Sequence, residues 1–317
     1  MKRSLLVLWL VAVGAAGVSS ACTDGTAPAG VDASSSPDLV GVGQFTTVDV
    51  PGATATVLFA INDDGVAVGR YASAGVTHGF VRSAAGELST IDFPGAGFTV
   101  AGAINNRGDI VGWYTLPTAP AVRHGFLLKD GAFTSFDPPG SIFTNVLGVN
   151  DRSEIVGRFC TRAPCAVPGS GDFHGFLLSD GQFTILDVPG SNETNAWKTN
   201  DRGETVGGFG VAGGDAALFL FRDGTFTTMA LPDGKHVNED TGGINALGDI
   251  VGQYCDASPC LTGGPNEHGF VLSNGLLTTI DIPGATVTGA FGINARRQVV
   301  GGYFDAAGVL HGYLLQP

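Results

Sequence analysis

The stretch His174–Gly190, HGFLLSDGQFTILDVPG, decides how this chain folds. Two short apolar runs flank an Asp-Gly pair, the strongest short-range signal for a β-hairpin. Pairing outward from Asp180-Gly181 sets Leu178 opposite Phe183, and at the open end it sets His174 opposite Asp187. The hairpin recurs from His78 (HGFVRSAAGELSTIDFPG), His124 (HGFLLKDGAFTSFDPPG) and His268 (HGFVLSNGLLTTIDIPG). A weaker copy, ALFLFRDGTFTTMALPDG, begins at Ala217. Half a copy, HGYLLQP, ends the chain, and the missing half, GQFTTVDVPG, begins at Gly43.

Between hairpins lies a second landmark, an Ile/Val/Thr-Asn turn followed by a short apolar run, as in AINNRGDIVGWY and INALGDIVGQY. Its Asn residues are Asn62, Asn105, Asn150, Asn200, Asn245 and Asn294, spaced 43 to 50 residues apart. Asn tolerates the left-handed conformation and caps its own turn, and Gly65, Gly108, Gly203 and Gly248 follow three residues later. Each period therefore holds four strands: one ending at the Asn, the Ile-Val-Gly run, and the two strands of the hairpin. Four-stranded units of this length predict an all-β, six-bladed β-propeller. Stacked solenoids use shorter units and capped ends, whereas these ends are complementary. The N-terminal strand should complete the last blade, which removes the exposed edge between them.

The repeat resembles the HAF-type extracellular repeat proteins of bacteria, from about Phe45 to the end. The likeness rests on the G-I-N-x-x-G-x-I-V-G-x-Y segment and the H-G-F hairpin. It implies export and the repeat architecture, and it brings no established activity or catalytic residue.

Composition agrees with a folded β domain. The 317 residues include 50 Gly, but 44% hydrophobic content in sustained alternation argues against disorder. A net charge of -13 argues against nucleic acid, whose phosphates need a basic surface. Residues 1–21 read as a signal peptide: Lys2 and Arg3, the apolar Leu5–Val18, then small residues before Cys22. The segment resembles a bacterial lipoprotein signal with Cys22 lipidated. Ser19 stands where an aliphatic residue is usual, so cleavage after Ala21 and plain secretion is the alternative. Residues 22–42 are small and polar and should form a flexible tether to the propeller at 43–317. The other cysteines form two C-x4-C pairs, Cys160/Cys165 and Cys255/Cys260, expected as local disulfides in an exported protein. Each would close a short loop and contribute roughly 2 kcal/mol.

Five histidines begin hairpins and face carboxylates: His78/Asp92, His124/Asp137, His174/Asp187, His268/Asp281 and, through closure, His311/Asp49. A His–carboxylate pair can act as a general base or a metal ligand. It can also be a buried pair that fixes each blade's edge, as the His and Asp of WD-repeat propellers do. The fourth unit favours the structural role: His becomes Ala217 and the facing Asp becomes Ala230, a joint loss that avoids an unsatisfied partner. Tyr71, Tyr114, Phe159, Phe209, Tyr254 and Tyr303 end the second strands and should pack between blades. Phe80, Phe126, Phe176, Phe219, Phe270 and Tyr313 should be core.

Function is sought where the repeat departs from itself. Thr56, Thr99, Thr144, Thr194 and Thr288 precede the turn Asn by six residues, but Glu239 stands there in the fifth unit. At the next position Asn145, Asn195 and Asp240 put side-chain oxygens on three adjacent inner strands. His236 lies upstream on the fifth, and Lys198 lies about 10 Å further along the fourth at ~3.3 Å per residue, a separate feature. An arc of Asn145, Asn195 and Asp240, rimmed by His236 and Glu239, is the candidate ligand-binding site, for a cation or a polyhydroxylated molecule; the alternative is that these side chains satisfy backbone groups between neighbouring blades. The functional reading is a membrane-tethered or secreted monomeric binding scaffold for an extracellular ligand or protein. It needs no cofactor and touches membrane only through Cys22. The alternative is a hydrolase or lyase at the channel mouth.

Overall fold

A computed structural model describes residues 43–162, 165, 173–211, 216–257, 260 and 267–317. Residues 1–21, expected to be a signal peptide, and 22–42, expected to be a tether beginning at Cys22, lie outside the described residues. Among the described residues strands account for nearly all regular structure, with one short 3-10 turn at Pro232–Gly234.

The strands meander within each unit. In the third unit the inner strand Phe143–Val149 pairs with Ile155–Cys160, then comes His174–Ser179, and Gln182–Leu186 lies outermost. The hairpin register is the one counted from the Asp-Gly turn, with Leu178 opposite Phe183. Asp180 and Gly181 both have positive φ, 50° and 74°, as a type I′ turn requires. The N-terminal strand Gln44–Val48 pairs antiparallel with Leu310–Gln316, Phe45 opposite Leu315 and Val48 opposite Gly312.

Six separate sheets were expected from the repeat, and the structure corrects this. It forms four sheets of four strands and one of eight, a propeller arrangement in which the second and third units share a sheet. A single parallel pairing, Phe143 with Arg123, joins them. The cause is local: the third strand of the second unit, Ala119–Lys129, runs 11 residues against 7 in its counterpart Val76–Arg82. Its extra leading end reaches the neighbouring inner strand.

The core lies between the sheets. Phe80, Phe126, Phe176, Phe219, Phe270 and Tyr313 are at most 1% exposed. Each such ring contributes roughly 1.5–3 kcal/mol by leaving water. They fit because the V-G motif leaves room. A Cβ on Gly157 would sit 2.1 Å from the Asn145 carbonyl and 2.8 Å from Phe176, and Gly112 is equally confined by Val100 and Phe126. Inner strands carry a β-bulge, for example between Leu58 and Ala60, Val146 and Gly148, and Ala196 and Lys198. The extra residue increases local twist. Three of these extra residues are Phe59, Leu147 and Trp197, and Phe59 lies 5.8 Å from its counterpart Phe291.

Candidate functional site

At one end of the ring the turn Asn does more than form a turn. In the second unit Asn105 Oδ1 accepts from the backbone N–H of Arg107 and Asp109, at 3.0 and 2.9 Å. Its Nδ2 donates to the carbonyl of Asn150, 3.1 Å away in the next unit. The same donation runs from Asn62 to Asn105, Asn150 to Asn200, Asn200 to Asn245, Asn245 to Asn294, and Asn294 back to Asn62. Six buried amides thus form a closed cycle. The left-handed conformation expected of the Asn falls three residues later instead, on Gly65, Gly108, Ser153, Gly203, Gly248 and Arg297.

A second tier lies above the cycle. Asn106, Asp151 and Asp201 each accept from the backbone N–H of the preceding unit's equivalent residue, and Asp63 accepts from Ala295. Ala246 and Ala295 have no such oxygen, so the tier is broken there. These residues line a cavity of about 80 Å3. Burial holds the Asp201 carboxyl above its usual range, opposed by the hydrogen bond from the Asp151 backbone N–H and aided by the Asp151 carboxylate. Further along the channel Lys198 lines a cavity of about 60 Å3. Its Nζ donates to the carbonyls of Gly102 and Leu147, and burial lowers its pKa to about 7.

The five His–Asp pairs stand at the opposite ends of the strands. Their Nδ1–carboxylate distances are 2.7–2.8 Å in every unit that keeps the pair. They are not buried, contrary to expectation: the His174 and Asp187 side chains are 40% and 42% exposed. The reason is position, since each pair closes a hairpin at its solvent end. The His rings lie against the second-strand aromatics, as His78 does on Tyr71 at 5.0 Å. The hydroxyls of Tyr71, Tyr114, Tyr254 and Tyr303 in turn hydrogen-bond Thr90, Ser135, Thr279 and Thr47. Hydrogen bonding to Asp49 raises the His311 pKa, opposed by partial burial.

The expected binding residues divide. Thr56, Thr99, Thr194 and Thr288 accept from link N–H groups at 3.0–3.2 Å, so they fasten each link to the next inner strand. Asn145 and Asn195 are buried, at 3% and 1% exposure. Asn145 Oδ1 accepts from Arg123 Nη1 at 3.2 Å, and Asn195 Oδ1 from Arg158 Nη1 at 3.1 Å. The guanidiniums lie over Phe143 and Phe173, 4.5 and 4.6 Å from the ring centres. Arg158 is also the cross-strand neighbour of Asn145 in the backbone register. Burial, then Arg158 and Arg70, lowers the Arg123 pKa to about 10. Asn195 Nδ2 is buried without a hydrogen-bond partner. The oxygens expected to face a cation therefore face guanidiniums.

His236 begins the irregular inner strand of the fifth unit, opposite Cys255. Glu239 and Asp240 lie on that strand, and their side chains fall outside the described residues. The two cysteine pairs are disulfides, Cys160–Cys165 and Cys255–Cys260, with Cα atoms 5.9 and 5.3 Å apart. Both sit at the His–Asp end. The arginines are the part of the site that sequence comparison missed. For Arg158 the signal was present in V-G-R, shared with Arg70, where other units have Trp, Gly or Gln; Arg123 instead stands immediately before the H-G-F hairpin of the second unit. Among the described residues no group of three or more His, Cys, Asp or Glu is placed to hold a metal. No helix among them is long and apolar enough to cross a membrane.

No family model matches the chain, and no curated protein matches it. Solved structures do. The β-propeller domain of the Trilobed protease from Pyrococcus furiosus, described as having an open velcro topology, aligns with TM-score 0.52 and 11% identity over 83% of this chain and 81% of its own. A protein of unknown function from Dyadobacter fermentans aligns with TM-score 0.52 and 12% identity, covering 86% and 97%. The Aleuria aurantia lectin, in complex with Fucalpha1-6GlcNAc, gives 0.51 and 10%, covering 85% and 93%. At these identities the likeness establishes the β-propeller fold alone.

Proposed function

We propose that this chain is an exported six-bladed β-propeller that binds an extracellular ligand, anchored through a lipid on Cys22 or secreted. In this reading the eight-stranded sheet is two blades that share one backbone pairing. The six-membered Asn cycle supports that count, and the two disulfides support an oxidising compartment. The binding site is the buried polar row of Asn145, Asn195, Arg123 and Arg158 at the disulfide-bearing end, extended by Asp240, His236 and Glu239.

One observation carries the site. Asn195 keeps a buried donor with no partner, beside a guanidinium packed on an aromatic ring. An unsatisfied buried donor costs about 1–3 kcal/mol, which a ligand oxygen would recover. Donors of this kind suit a polyhydroxylated or anionic ligand, an acidic glycan above all, and do not suit a cation. The test is a glycan array probed with wild type and Asn195→Asp, which keeps an oxygen for Arg158 but removes the amide donor. Selective binding of acidic glycans, weakened about tenfold or more in the variant at unchanged melting temperature, is expected. Equal binding by both proteins would refute the site, and turnover of a bound glycan would favour the hydrolase or lyase alternative.

A further inference from the structure

A three-ring aromatic site of the second unit recurs in the third, where it stands open. In the second unit Phe93, from the preceding link, fills it. Phe93 stacks on Tyr114 with centres 3.7 Å apart and planes 6° apart. It meets Phe133 edge-on at 5.4 Å and 72°, and Phe126 at 6.2 Å. The third unit presents the same walls at the same repeat positions, Phe159, Phe183 and Phe176. Their geometry matches: Phe126–Phe133 are 5.4 Å apart and Phe176–Phe183 5.7 Å. Tyr114–His124 and Phe159–His174 are each 5.4 Å apart.

The residue aligned with Phe93 is Pro138, whose side chain closes back on its own nitrogen and projects less. A cavity of about 300 Å3 remains, walled by Pro138, Phe159, Phe176 and Phe183, with His174 and Ile185 also lining it. A second change makes the space less polar, with Thr161 and Thr184 remaining in its lining. Four units hold a Tyr hydroxyl on a Thr or Ser here, whereas the third has Phe159 and, at the Thr position, Ile185. Both halves of a polar pair are replaced together. Apolar cavities of about 150 Å3 are large enough for benzene.

We infer that this pocket binds a small neutral aromatic molecule, whose ring takes the place that Phe93 occupies in the second unit. The ring stacks on Phe159 and meets Phe183 by its edge, the offset and edge-to-face arrangements that aromatic quadrupoles favour. His174 Nδ1 is held by Asp187, so Nε2 faces a single polar substituent such as a hydroxyl. The pocket uses none of the residues assigned to the glycan site.

The experiment titrates the full chain with p-cresol, using cyclohexanol as the non-aromatic control, and follows the Ile185 methyl resonances by NMR. Saturable one-to-one binding with an upfield ring-current shift at Ile185 is expected, with cyclohexanol clearly weaker. Pro138→Phe should abolish binding without lowering the melting temperature, because it supplies the ring internally. Should that variant not fold, Phe159→Tyr with Ile185→Thr restores a pair that four units already tolerate, and it should weaken p-cresol binding. Absence of saturable binding, cyclohexanol binding as tightly as p-cresol, or unchanged binding in the variant that folds would overturn the assignment.

Discussion

At the scale of single residues, the turn Asn separates two roles that one side chain performs. Its oxygen shapes the turn and its nitrogen ties that turn to the next. Asn150→Asp keeps the acceptor for Arg152 and Glu154 but loses the donor to Asn200. It also sets a carboxylate against Glu154, which Asn150 Nδ2 now contacts. A destabilisation of about 1–3 kcal/mol is expected in urea unfolding. The local role was legible from one copy of the motif. The inter-unit bond was not, because its partners lie 43 to 50 residues apart, and 232 apart where Asn294 meets Asn62, and no local pattern encodes the distance. One signal was available: a position needing only a turn former would accept Asp or Gly, yet all six copies are Asn. His311 carries a second residue-scale expectation. Its folded pKa is raised above its unfolded value, so its stabilisation is full below about pH 6.5 and is lost as pH rises through the folded pKa. His311→Ala should therefore lower the melting temperature more at pH 5.5 than at pH 8.5.

At the scale of the element, the hairpin was the most legible part of the chain. Register follows from the Asp-Gly turn where there is one, and the repeat alignment carries the partner over to the remaining His residues. Burial of the pair was not legible, since register places a residue along a strand without saying how near its end lies to solvent. The exposure observed limits what the pair contributes, to about 0.2–1 kcal/mol. The fourth unit offers the direct check, because it lacks both members. Installing Ala217→His with Ala230→Asp should stabilise the protein by no more than that amount. Each single change should give less than half of the double's gain, as a double-mutant cycle on melting curves would show. The candidate site shows the opposite case. Asn145 and Asn195 were found as departures from the repeat, but their environment comes from arginines on other strands. That is why a row of oxygens suggested a cation where the folded chain provides cationic neighbours.

At the scale of the molecule, closure was written in the ends of the chain, a half hairpin at each. The merging of two units into one sheet was not, because it depends on how far Ala119–Lys129 extends past its partners. The structure joins the ends twice. Gln44–Val48 pairs with Leu310–Gln316, and Asn294 of the last unit donates to Asn62 of the first. Without the first strand, Leu310–Gln316 would present an unpaired edge, a template for aggregation. Two truncations test this most directly, compared by urea unfolding and by sedimentation. The chain lacking residues 1–40 should remain monomeric and unfold in one cooperative transition at the full-length midpoint. The chain lacking residues 1–49 should lose stability and aggregate. Equal midpoints and equal solubility for the two would contradict a ring closed by its N-terminal strand.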